Sequence, residues 1–162
     1  MGQRMNQTVL SHLNSKGETR MVDVGAKGAT RRTAVARTEI RMKPETLKLL
    51  KSGTLKKGDA FTVAKIAGIM AAKKTADLIP LCHPLPVDYV EIRFAEQAEA
   101  DGIVIESEVR TTSKTGVEME ALTGAAVAAL TLYDMVKGYD PGMAISGLRL
   151  IKKTGGKSDY VA

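Results

Sequence analysis

Proton transfer needs acids and bases of different strength held close together, and two stretches of this chain supply them. Residues 115–138, TGVEMEALTGAAVAALTLYDMVKG, carry Glu118 and Glu120 at one end and Asp134 and Lys137 at the other. Between 121 and 136 the only ionisable side chain besides Tyr133 is Asp134. A carboxylate inside an apolar helix is costly unless paired. Lys137, three residues on, is within pairing reach. At 100° per residue Glu120 and Asp134 fall about 40° apart on the helix wheel, so one face carries acids at two levels. The second stretch, LIPLCHP at 78–84, sets Cys82 and His83 between Pro80 and Pro84. Histidine is the side chain best suited to proton transfer near neutral pH, and flanking prolines stiffen the turn that carries it.

Other cations stand in loops. Lys56 and Lys57 precede Gly58 and Asp59. A lysine desolvated in a pocket can serve as acid or base. The TGGKS segment at 154–158 is not a phosphate loop, because Ile151 stands where that motif needs its first glycine. With Lys153 and Lys157 it could still wrap an anion. Each feature also has a plainer structural reading. Thr115 and Glu118 fit a capping box. Lys137 before Gly138 suits a helix C-terminus. Cys82 and His83 read as a buried thiol and a satisfied loop histidine, and a Cys-His dipeptide is weak evidence for thiol catalysis. The two loop lysines and the basic tail read as solvated. Asp134 is the residue these plainer readings explain least well.

The elements that must position these groups follow from periodicity and punctuation. RTEIRM at 37–42 alternates and reads as a strand. Pro44 opens a short helix that ends near Gly53. Asp59 reads as the N-cap of a helix from 60 to about 78, stopped by Pro80. YVEIRF at 89–94 and IVIESEVRT at 103–111 alternate, joined through Asp101-Gly102, a hairpin signal. The long apolar helix follows, then a last strand, MAISGLRLIK, at 143–152. Leaving out the short helix, the order βαββαβ predicts an α+β, ferredoxin-like split βαβ fold: a four-stranded antiparallel sheet with helices on one face. Residues 1–20 read as a loosely ordered arm, and 21–162 as one catalytic domain with a flexible basic C-terminal tail.

Composition narrows the class. The net charge of +6 points to an anionic partner. With two Phe, four Tyr and no Trp, the core must come from Ala, Val, Ile, Leu and Met. Small residues at helical spacing (Ala64, Ala67, Gly68, Ala71; Ala125, Ala126, Ala128, Ala129) hint at subunit contacts. A single cysteine rules out an internal disulfide, and one Cys with two His argues for no zinc site. With no signal peptide, a cytoplasmic location is the default. The apolar run of about 16 residues is short for a membrane span and holds Thr123, Thr131 and Asp134. An RNA-binding sheet of this topology would need aromatics on its third strand, where two glutamates stand. A small-ligand regulatory domain would not need Asp134, Lys137 and His83 together.

The sequence resembles the cyclic pyranopterin monophosphate synthase family, the second step of molybdenum cofactor biosynthesis. The resemblance runs from 21 to 158 through MVDVGAKGATRR, KKGDAFTVAKIAGIMAAKKTADLIPLCHPL, TSKTGVEMEALTGAAVAALTLYDMVKG and the closing GGKS. The arm and the 44–55 region diverge. The resemblance implies a lyase that converts a cyclised dihydro-GTP (3′,8-cyclo-7,8-dihydroguanosine 5′-triphosphate) to cyclic pyranopterin monophosphate plus diphosphate. By position it implies Asp134 as acid/base and Lys57 and Lys137 as lysines of the proton transfers, with His83 beside them. Leu81, Cys82 and His83 match one substrate-binding strip, and Met119 and Glu120, with Glu118, another. Asp23, Lys27, Arg32, Lys153 and Lys157 would close on the polyphosphate. It implies no required cofactor, with magnesium possible on the polyphosphate, and a homohexamer, a trimer of dimers, with sites between subunits. No nucleic-acid or membrane partner is expected.

Overall fold

The structure is a computed structural model that describes residues 13–14, 16–97 and 100–162. The elements run β1 (Thr30–Arg41), α1 (Pro44–Ser52), α2 (Ala60–Lys73), α3 (Thr75–Leu78), β2 (Tyr89–Glu96), β3 (Gly102–Ser113), α4 (Glu118–Val136), β4 (Ala144–Thr154) and β5 (Tyr160–Val161). The strands form one antiparallel sheet in the order β2-β3-β1-β4-β5. Without β5 this is the expected ferredoxin-like order. The sheet has five strands instead of four because the chain turns back after Thr154, and Tyr160 and Val161 pair with Lys153 and Lys152. Most of the expected arm lies outside the described residues. Within 13–20, Leu13 and Thr19 form a bridge around a turn at Gly17.

Alternation in the strands decides which face meets the helices. On β3, Ile103, Ile105, Ser107 and Val109 are buried. The opposite face carries Glu106, Glu108 and Arg110, where Arg93 pairs with Glu91, Glu106 and Glu108. The face that an RNA-binding sheet would use is therefore filled by ion pairs, with one aromatic ring, Tyr89, under Arg110. The expected first strand begins seven residues earlier, at Thr30. Its Arg- and Ala-rich first half pairs fully with β3.

The helix expected to run to 78 breaks at Lys74. The hydroxyl of Thr75 donates to the carbonyls of Ala71 and Ala72, and that local bond competes with the helical ladder. The Asp59 cap forms as expected, its carboxylate accepting from the amides of Phe61 and Thr62. Several of the small residues expected at subunit contacts pack inside the chain. Ala64, Gly68, Ala125 and Ala128 are buried where α2 packs against α4. There a Cβ built on Gly68 would lie 2.9 Å from the carbonyl of Gly124. Thus α4 is a core helix packed on the sheet and, along its side, against α2, which itself meets β2.

Helix α1 has no local side-chain cap at Lys43. Asp140, from the loop after α4, supplies one. It accepts from the Lys43 amide at 2.8 Å and from the Thr46 hydroxyl at 3.3 Å, and is 2 % exposed. The Lys43 amide, foremost, holds the Asp140 carboxyl below its usual range. A depressed carboxyl contributes stability above its unfolded value, lost as pH falls through the folded one. Asp140→Ala is therefore expected to lower the thermal midpoint at neutral pH, with the gap to wild type closing in acid. Melts across pH check both parts.

Candidate active site

Three segments converge at the N-terminal end of α4. Residues 79–86 leave α3 in extended form after a turn in which the Cys82 amide donates to Ile79 O. The far end of this stretch is fixed by the Thr111 hydroxyl, which donates to Pro86 O at 2.5 Å. The 21–29 segment comes from the opposite side, and the first turn of α4 closes the third. They enclose a cavity of about 320 Å3 whose lining includes Lys27, Leu81, Cys82, His83, Glu118, Met119 and Glu120. Seven of the expected site residues thus meet in one place.

The electrostatics of this cavity are set by burial. Glu120 is 4 % exposed, and burial foremost, with Glu118 adding, pushes its carboxyl up. Burial likewise pushes the Cys82 thiol up, with Glu120 adding, so the thiol is not activated. His83 Nε2 lies 2.7 Å from Val22 O. A carbonyl only accepts, so Nε2 carries the proton, and in the neutral ring Nδ1 is left as the acceptor. The expected capping box is absent. The N-cap of α4 is Val117, with no side-chain cap. Glu118 instead reaches Lys153 Nζ at 3.5 Å.

Of the expected polyphosphate cations, Lys27 alone lines the cavity. Arg32 donates to the carbonyls of Ser113 (3.0 Å) and Lys114 (3.3 Å), beside Thr115 and Gly116 of the lining. Lys157 is exposed in the turn between β4 and β5. Asp23 does not line the cavity and accepts from the Gly25 amide at 2.8 Å, forming a turn. Lys114 also holds this region together: its ammonium donates to Gly25 O at 2.7 Å. The sequence reading passed over Lys114 because nothing in its neighbours shows that its reach is to a loop 89 residues away.

The raised Glu120 carboxyl has a stability consequence. Ionising it costs stability in the fold, a cost absent below the unfolded-chain value and complete once pH exceeds the raised folded value. Glu120→Gln is therefore expected to raise the thermal midpoint at about pH 8 and to leave it little changed near about pH 4. Thermal unfolding of the two proteins at both pH values tests this.

The remaining expected residues lie elsewhere. Lys137 Nζ is 2.7 Å from Asp134 Oδ1, and Lys57 Nζ donates to Asp134 O at 2.9 Å. The turn that aims Lys57 rests on Gly58, whose φ of 94° suits glycine and whose amide donates to Leu55 O. Lys137 foremost, then Lys57, holds the Asp134 carboxyl down, and Asp134 holds the Lys137 ammonium up. Asp134 is not buried, as its apolar surroundings in sequence suggested; its side chain is 60 % exposed. The apolar helix keeps one flank uncovered, and Asp134 lies on it. Fourteen residues at a rise of about 1.5 Å separate Asp134 from Glu120 by about 21 Å along α4. The structure therefore gathers the site residues into two groups, one at each end of the helix.

A sequence model of the MoaC family matches residues 21–156. The cyclic pyranopterin monophosphate synthase of Pelotomaculum thermopropionicum is 56% identical over 149 residues, covering 92% of this chain and 88% of the relative. The synthase of Thermomicrobium roseum is 54% identical over 149 residues, covering 92% and 90%. That of Roseiflexus sp. is 55% identical over 153 residues, covering 94% and 97%.

Proposed function

Because the chain belongs to the MoaC family and is an enzyme of that family, we propose that it is a cyclic pyranopterin monophosphate synthase of molybdenum cofactor biosynthesis. Its substrate is the cyclised dihydro-GTP, and its products are cyclic pyranopterin monophosphate and diphosphate. The observation that carries this reading is the cavity in which Lys27, Leu81, Cys82, His83, Glu118, Met119 and Glu120 converge. Buried polar groups there suit a polar bicyclic base, and Lys27, Arg32, Lys153 and Lys157 supply cations near it. Ring rearrangement needs proton donors and acceptors of unequal strength. Glu120, raised by burial, and His83, with Nδ1 free, are such groups at one end. Asp134, Lys57 and Lys137 are such groups at the other. Diphosphate leaves as an oxygen of the sugar bonds the innermost phosphorus, and nearby cations neutralise the departing charge. No resident cofactor is needed, and magnesium arrives on the polyphosphate.

The working form is a cytoplasmic homohexamer, a trimer of dimers, with each site shared between subunits. Two observations support sharing. The two residue groups are too far apart along α4 for one nucleotide to engage both readily. In the single chain the Asp134–Lys137 pair lies open, its side chains 60 % and 54 % exposed, whereas a proton-transfer site needs its acids and bases shielded from water. A surface for such cover exists: Val63, Ile66 and Met70 form an exposed apolar stripe at helical spacing on α2. The test is a turnover assay of purified protein with the cyclised nucleotide and magnesium, following diphosphate and pyranopterin together. Both products are expected. A protein in its native oligomer that binds the nucleotide and releases neither product is a ligand-binding member of the fold instead.

A further inference from the structure

The 21–29 segment forms one wall of the cavity, and two side chains hold it by main-chain carbonyls. His83 Nε2 takes Val22 O, and Lys114 Nζ takes Gly25 O, both at 2.7 Å. Between these points the segment is a run of turns of fixed shape. Asp23 Oδ1 accepts from the Gly25 amide, and the Lys27 amide donates to Val24 O at 3.1 Å. The turns direct Val22, Val24 and Lys27 to the cavity. Lys114 works from both its ends, since its own carbonyl accepts from Arg32 Nη2.

We propose that Lys114 is a positioning residue for anion binding in this cavity: it fixes the 21–29 segment, and with it the reach of Lys27, while its carbonyl orients Arg32 at the same rim. The identity of the anion rests on the synthase reading; the tether itself does not. A charge-assisted hydrogen bond at an exposed site is a modest tether, so its loss should loosen the segment without unfolding the domain. Among the described residues, His83 would then be the one side chain bonded to the segment's main-chain carbonyls, at its Val22 end. Lys27, two residues beyond Gly25, would lose its fixed position.

The experiment compares the whole wild-type protein with Lys114→Met and Lys114→Arg. Hydrogen exchange at the Gly25 and Lys27 amides is read without ligand, and inorganic tripolyphosphate is titrated separately. Lys114→Met is expected to speed exchange at both amides about 5-fold and to weaken tripolyphosphate binding about 10-fold. Lys114→Arg, which keeps a cationic donor, is expected to restore both. With the cyclised nucleotide, the Met variant should raise KM about 10-fold and hold kcat within about 2-fold. Unchanged exchange in Lys114→Met overturns the proposal, even if binding weakens, because weaker binding is then a plain charge effect. Faster exchange with unchanged binding also overturns it, as does failure of the wild type to bind tripolyphosphate. Both effects in a protein that makes no pyranopterin would uphold the proposal and sink the synthase reading.

Discussion

Asp134→Asn and Glu120→Gln are each expected to lose about 100-fold or more in kcat alone, and to recover about a quarter of wild-type activity when co-assembled. The loss follows from the usual contribution of one positioned acid or base. The recovery follows from geometry. Asp134 and Glu120 lie about 21 Å apart along one helix, so a site shared across a two-fold axis takes its Asp134 group from one chain and its Glu120 group from the other. In a random mixture about one site in four draws both intact groups. The measurement is the coupled assay on co-expressed, differently tagged variants purified through both tags. Recovery would establish sharing. Absence of recovery in a mixed oligomer would mean that both groups serve the site of a single chain. Lys57→Ala belongs with Asp134→Asn: the two together should show no recovery, since both deplete the same group.

Gly68→Val is expected to cost about 3 kcal/mol of stability, and Gly68→Ala about 1. A Cβ at Gly68 would meet Gly124 O at 2.9 Å and the Ile92 side chain at 3.0 Å. The first neighbour is backbone in the middle of α4 and cannot turn aside, so the two helices must separate. Replacing glycine in a helix gains about 1 kcal/mol of propensity, which offsets part of the overpacking for alanine and little of it for the β-branched valine. Urea unfolding monitored by circular dichroism gives both values. A stabilised Gly68→Ala protein would show that the helices carry slack at their crossing. Gly124→Ala makes a useful partner, because its Cβ would press at 2.7 Å on the Ser107 hydroxyl, a buried group without a hydrogen-bond partner among the described residues.

Much of the architecture is legible in the sequence because it is written locally. The alternation of YVEIRF and the Asp59 cap each act within a few residues, and each appears where expected, whereas Gly102 of the expected Asp101-Gly102 turn already belongs to β3. What escaped depends on distant partners. The break at Lys74 comes from a threonine hydroxyl that is unremarkable in sequence. Strand β1 reaches back to Thr30 because β3 offers it a full ladder, not because its own residues alternate. The cap of α1 comes from Asp140, 97 residues from Lys43. At the site, the residue types and their motif membership were readable, but their grouping was not. An apolar run marks a helix as packed without saying which flank stays open, so Asp134 read as buried although it faces solvent. Glu120, beside a helix N-terminus, read as one of two similar acids, yet it is the one buried.

Strand β1, the first among the described residues, sits in the middle of the sheet, and this shapes how the protein can be made. On the ribosome β1 emerges early, but its two neighbours come much later: β3 ends at Ser113 and β4 at Thr154. Until then β1 presents one unpaired edge, and before β3 both, with Ala34, Ala36 and Ile40 uncovered. Loop closure over such separations is slow, so nascent chains pass through a long aggregation-exposed interval. Chains released before β4 is complete would keep an open edge at the centre of the sheet. Premature termination before or within β4 should therefore yield insoluble fragments.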